Sequence, residues 1–188
     1  MNILKPIKLQ IGNSLLKKEL KTFSRTQKFY SLGIAESIGI VYEYKDEEEF
    51  KIIEQLISQL HDEKKKIKVM VLIKNTKMLA FIPQRLTVDY IRPNEVDWFY
   101  RPDSTYVRDF IKTHFHILID LNYNRSFPLN YIVAKSNAYY KVGIFNEESK
   151  EQLDLLLKLD VQNGLPYMIK EMMRYLKIIH PFDGKKYY

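Results

Sequence analysis

Cysteine is absent from the chain, which excludes disulfides and thiolate chemistry and fits a reducing cytoplasm. No apolar run approaches the roughly 20 residues needed to span a bilayer, so no membrane span is expected. The opening MNILKPIKLQIGNSLLKKEL has no continuous apolar region with a small-residue cleavage site, so no secretory signal is read there. GxGxxG after the first strand, GxxxxGK[ST], GxSxG and CxxC are also missing. Dinucleotide, P-loop, α/β-hydrolase and redox chemistry each lose their main support, although a fold class survives without them, and no cofactor is expected. His114 and His116 would share a strand face, but no HExxH and no third ligand at a recognised spacing accompany them, so no metal site is expected.

Acid is scarce near the start. Residues 1–35 hold seven Lys or Arg and only Glu19 against them, a net of +6 that leaves +1 for the rest of the chain. The spacing predicts a helix from about Ser14 to Tyr30, capped by Asn13 or Ser14, with Leu16, Leu20, Phe23 and Tyr30 on one side. Lys17, Lys21, Arg25 and Lys28 would then form a basic surface on the other side. Such a stripe is either a solvated face or a contact for an anionic partner. Nucleic acid is not expected, because no recognition motif is present and one stripe supplies only about four phosphate contacts.

At 188 residues the chain suits one domain that buries roughly 70% of its unfolded surface. Ser37 to Tyr44 reads as a strand, then Asp46 caps a helix that opens with Glu47, Glu48 and Glu49 and buries Phe50, Ile53, Leu56, Ile57 and Leu60. Ile67 to Ile73 is the next strand. Pro83, Pro93 and Pro102 interrupt the middle of the chain, where only Leu86 to Ile91 alternates like a strand. Asp103 or Ser104 restarts a helix with Val107, Phe110 and Ile111 inward. Phe115 to Leu121 is a doubly buried strand, and Ser126 and Pro128 open a helix carrying Leu129, Ile132 and Val133. Tyr139 to Phe145 returns as a strand, Leu153 to Leu159 offers a sixth, and Leu165 to Ile179 is a final helix.

In an open parallel sheet ligands settle beyond the carboxyl ends of the strands. Asp120 and the loop with Asn122, Asn124, Arg125 and Ser126 therefore form the candidate ligand-binding set, with Arg125 beside a helix start suited to a phosphate or carboxylate. The bland alternatives are a bracing Asp120, an Arg125 paired with a surface acid, and ordinary Asn-rich turn material. Gly143 reads as close backbone packing within a strand, and Trp98, Phe99 and Tyr100 read as cover for a sheet edge or the lining of a cleft.

FHILIDLNYNRSFPLNYIVAKSNAYYKVGIF, with VDWFYRP before it and MIKEMMRYLKII after it, resembles a family of small uncharacterised bacterial proteins, a domain of unknown function. The likeness covers most of the chain and implies a Rossmann-like α/β fold without assigning an activity. The same stretch is loosely similar to the N-terminal half of heptosyltransferase-type glycosyltransferases, where Asp120 and Gly143 match only as fold markers. Together these readings predict a three-layer Rossmann-like domain at 36–180 with about five or six mostly parallel strands and Val41, Val71, Ile119 and Val142 at its centre. A basic helical segment at 1–35 is expected to pack on it, with a loose tail at 181–188. Function divides between a small anionic-ligand site at the strand ends, with or without catalysis, and a binding or scaffold role for the basic helix.

Overall fold

The short runs of Ile, Val and Leu do become strands, and all of them run the same way. A computed structural model describes residues 4–76, 78, 85–147 and 150–180. Strands β1 (Ser37–Glu43), β2 (Lys66–Leu72), β3 (Val88–Ile91), β4 (Ile117–Asp120), β5 (Tyr140–Ile144) and β6 (Leu155–Leu157) form one parallel sheet in the order β3-β2-β1-β4-β5-β6. Helices α1 (Leu4–Leu20), α2 (Glu47–Asp62), α3 (Thr105–Lys112), α4 (Phe127–Lys135) and α5 (Gly164–Ile178) complete the fold. Among the described residues no helix is long and apolar enough to cross a membrane.

Alternation along the strands splits the interior into two layers. Ile38, Ile40, Val69, Val71, Ile117, Ile119 and Val142 face α2 and α5, whereas Val41, Met70, Leu72 and Leu118 face α3 and α4. Both faces of the sheet are covered, as an all-parallel sheet requires. The four predicted central residues, Val41, Val71, Ile119 and Val142, are buried.

Helix starts follow local chemistry closely. Asp46 accepts from the Glu49 amide at 2.7 Å and Ser104 from the Val107 amide at 3.4 Å. Ser126 does occupy the cap position of α4, but its hydroxyl donates to Glu43 and leaves the helix amides alone. Strand β3 begins at Val88, two residues later than the alternation suggests, and Leu86 is fully exposed in the preceding turn. Pro83 and the predicted tail at 181–188 lie outside the described residues.

The first helix departs most from expectation, running from Leu4 to Leu20 and not from Ser14 to Tyr30. Its buried side is Gly12 and Leu16, set against Phe127 and Ala134. A methyl group at Gly12 would stand 2.5 Å from the Phe99 carbonyl, so only glycine lets the helix settle this close. After Leu20 the chain makes a turn and then runs on without regular secondary structure, because tertiary partners outbid the continuing helical period. The Lys28 amide donates to the Tyr139 carbonyl at 3.1 Å.

Arg25 consequently does not belong to a basic surface. Its guanidinium grips Asp154 through two bonds of 2.6 and 2.7 Å and also donates to the carbonyls of Ala138 and Tyr139. Asp154 in turn accepts from the Lys141 amide at 2.7 Å. Lys17, Lys21 and Lys28 stay exposed, but they lie on a helix, a turn and a segment without regular secondary structure, so the four cations form no single stripe. Lys141 is buried in β5 and donates to the Val133 and Ala134 carbonyls at 2.6 and 3.1 Å, where the negative end of α4 favours a cation. Burial, with Arg25 nearby, lowers its ammonium pKa to about 7.

Removing the acid from this network leaves a largely buried guanidinium without its counter-charge. Asp154→Ala is expected to cost about 3 kcal/mol in urea unfolding, whereas Lys17→Gln and Lys21→Gln stay within about 0.5 kcal/mol of wild type. A loss below about 1 kcal/mol for Asp154→Ala would show that solvent already screens the pair.

Candidate functional site

Because all six strands are parallel, their carboxyl ends share one edge, and the strand order reverses between β1 and β4. That reversal opens a crevice. Glu43 closes β1 with a buried carboxylate that accepts from the Ser126 hydroxyl, from Lys74 Nζ at 2.8 Å and from Asn124 Nδ2 at 3.3 Å. The loops after β2 and β4 are thereby tied to the end of β1. Asn122 reinforces this loop: its Oδ1 accepts from the Ser126 amide at 2.9 Å, and its Nδ2 reaches the Ser126 carbonyl at 3.0 Å and Asn130 Oδ1 at 2.7 Å.

The turn that follows β1 is acidic. Asp46 caps α2, Glu47 and Glu48 follow it, and Glu49 accepts from the hydroxyls of Tyr42 and Tyr123 at 2.8 and 2.6 Å. Burial and the Glu49 carboxylate hold both phenols well above the usual tyrosine range, so they remain donors. Carboxylates here repel phosphate from the helix start that would otherwise attract it.

The loop 122–126 stands as a wall between two cavities. On one side lies a groove of about 620 Å³, bounded by Lys5 and Leu9 of α1, Lys74, Tyr100, Pro128 and the loop itself. On the other lies a smaller cavity of about 210 Å³ at the ends of β4, β5 and β6, lined by Asp120, Tyr123, Phe145, Asn146 and Asp160 among others. Arg125 borders both. It holds a left-handed backbone conformation with φ of 55°, and among the described residues its guanidinium has no hydrogen bond or ion pair.

Asp120 is 8% exposed and accepts one hydrogen bond, from the Asn122 amide to Oδ1 at 2.9 Å. Among the described residues its Oδ2 has no partner, and the residue lines the smaller cavity. Burial raises its pKa to about 6 against the lowering effect of that amide. Gly143, opposite Asp120 in β5, fulfils the packing reading: a Cβ there would lie 2.8 Å from Leu153 Cδ1 and 3.1 Å from Asp120 Cβ.

The predicted residues therefore gather at one edge but divide by task. Asp120 and Arg125 offer unspent charge, Asn124 faces the groove, and Asn122 and Ser126 are buried and committed to shaping the loop. Sequence reasoning missed Glu43, Lys74 and Lys5. A strand ending in Glu beside an apolar run is the signal that could have pointed to Glu43. Of the aromatic trio, Tyr100 lines the groove, as the cleft reading has it, and the Phe99 carbonyl meets Gly12 on α1. His116 sits at the opposite, amino edge, where Nδ1 accepts from the Glu36 and Ser37 amides at 3.0 and 3.2 Å. Among the described residues no three His, Asp or Glu side chains gather as a metal site would require.

The doubly wound parallel sheet and its divided polar crevice define an α/β protein with the architecture on which ligand sites are commonly built. The chain belongs to a family of unknown function (DUF6913), whose model matches residues 8–179. This membership agrees with the uncharacterised family that its central stretch resembles. No curated protein and no solved structure matches the chain.

Asp120 ties this edge to measurable stability. Its folded pKa of about 6 stands above the ordinary 3.8, so the native state binds the proton more tightly, and stability is lost as pH rises through that window. Asp120→Asn keeps the acceptor for the Asn122 amide and removes the charge. Near pH 4 and below the variant should match wild type in urea unfolding, and above pH 6 it should be more stable by up to about 3 kcal/mol. A difference that stays constant across this range would mean that the carboxylate is well solvated.

Proposed function

We propose that this protein binds a small molecule that joins an anionic group to a hydroxyl or other hydrogen-bond donor, seated in the crevice across Arg125. The observation that carries this reading is the pair of unspent charges on one short stretch: a guanidinium bordering both cavities and a buried carboxylate with one oxygen unbonded. Arg125 is exposed at the mouth of the crevice, whereas the buried Asp120 carboxylate has lost solvation without gaining a second protein partner, a cost that a ligand can offset.

The anionic group fits the groove side. Lys5 and Arg125 line it, and α4 begins there with its unpaired amides. The donor fits the smaller cavity, where Asp120 accepts. The strand order is that of Rossmann-type folds, yet the acidic turn after β1 argues against a dinucleotide pyrophosphate in its usual place. A sugar phosphate satisfies both halves. A carboxylate with a pKa near 6 is also suited to take a proton from a bound hydroxyl, so the reading covers binding with or without turnover.

Thermal-shift measurements with sugar phosphates, the corresponding free sugars and inorganic phosphate test the proposal. A sugar phosphate at a hundred times its dissociation constant should stabilise the fold by about 2.7 kcal/mol. Arg125→Gln should remove the response to every phosphate, and Asp120→Asn should remove the advantage of sugar phosphate over inorganic phosphate. If no phosphate shifts the melting point, or if Arg125→Gln responds as wild type does, the crevice is not the site described.

A further inference from the structure

Helix α1 is apolar on two sides, and only one of them is covered. Gly12 and Leu16 face inward, while Leu4, Ile7 and Ile11 on the outward side remain 52%, 51% and 41% exposed. At 3.6 residues per turn these three lie within an arc of about 60°. Trp98 extends the patch: it is 64% exposed and stands beside α1, with Lys8 Nζ 3.2 Å from its ring centroid. Single exposed aliphatics are ordinary, but an aligned row with an indole beside it marks a contact surface.

Cations border the same surface. Lys8 is half-buried against Trp98, Lys18 is exposed within the row, Lys17 and Lys21 are exposed nearby, and among the described residues none of these four is ion-paired with an acid. Residues 1–35 carry the net charge of +6. We infer that the outward face of α1, with Trp98, docks the protein on an anionic lipid bilayer surface. Here aliphatic side chains and the indole enter the headgroup boundary and the lysines meet the lipid phosphates and carboxylates.

The other occupants fit less well. A second copy would bring one basic face against another, and like charges oppose that pairing. A nucleic-acid backbone would satisfy the lysines but give Leu4, Ile7 and Ile11 nothing to bury against. A groove in an acidic protein must wrap its helix, yet α1 is seated so closely on its other side that a methyl group at Gly12 would meet the Phe99 carbonyl. What α1 offers is a flat face, and a bilayer is a plane.

Trp98 is the sole tryptophan of the chain and reports on this face directly. The full chain would be floated with vesicles of phosphatidylcholine alone and with vesicles in which part of it is replaced by phosphatidylserine, while Trp98 emission is recorded. Expected results are flotation and a blue shift with the phosphatidylserine vesicles only, both weakened by salt. Leu4→Gln with Ile7→Gln and Ile11→Gln should abolish the blue shift and weaken partitioning by roughly tenfold or more. Lys8→Gln with Lys18→Gln should weaken it roughly thirtyfold. Leu4, Ile7, Ile11 and Lys18 are exposed and Lys8 is half-buried, and unchanged unfolding midpoints would confirm that both variants fold. Absence of flotation, equal binding to neutral vesicles, or full binding by the aliphatic variant overturns the inference. Retention by an acidic protein without vesicle binding also overturns it, in favour of a protein partner.

Discussion

The crevice depends on one buried carboxylate. Glu43 ends β1, and three groups from loops distant in sequence converge on it: Lys74 after β2, and Asn124 and Ser126 after β4. A carboxylate in a dry site is tolerable only when donors surround it, and here the donors are the walls of the site. The loop from Asn122 to Ser126 takes its course from that anchor, and Arg125 sits in a left-handed conformation at its turn. An unstrained arginine would not need such a hold. A residue at positive φ persists where its neighbours over-determine it, as Asn122, Ser126 and Glu43 do here.

Buried charge elsewhere obeys the same rule, with one exception. Arg25 and Asp154 neutralise each other, and Lys141 rests on the terminal carbonyls of α4. Among the described residues Asp120 has neither a cation nor a second donor, and burial raises its pKa. Nothing in the packing compels an acid at this position, since Asn would satisfy the Asn122 amide equally well. Retaining a destabilising carboxylate beside a cavity is the pattern of a group kept for what it meets there.

Much of the fold was legible because its signals are local. Asp46 and Ser104 cap their helices where the adjacent residues said they would, and doubly buried strands read as continuous apolar runs. Gathering Asp120 and Arg125 at one edge followed from the rule for parallel sheets. The first helix was misread because Leu16, Leu20, Phe23 and Tyr30 keep a helical rhythm past the point where the helix ends. What stops it is long-range. Arg25 meets Asp154, and the Lys28 amide meets the Tyr139 carbonyl, and neither partner can be inferred from spacing. The groove was hidden for the same reason, since Lys5 and Leu9 reach it only once α1 has docked.

Helix α1 therefore has two roles that pull on its composition in different ways. Its inner side must be small at Gly12 and apolar at Leu16 to sit against Phe127, and it roofs the groove with Lys5 and Leu9. Its outer side repeats apolar residues at Leu4, Ile7 and Ile11, which stay exposed among the described residues. A helix serving only as a lid would carry polar residues there, because exposed aliphatics bring no stability and invite association. Lys5 belongs to the inner side: it falls between Gly12 and Leu16 around the helix and lines the groove, so the cation at the groove is separate from Lys8 and Lys18 beside the exposed row.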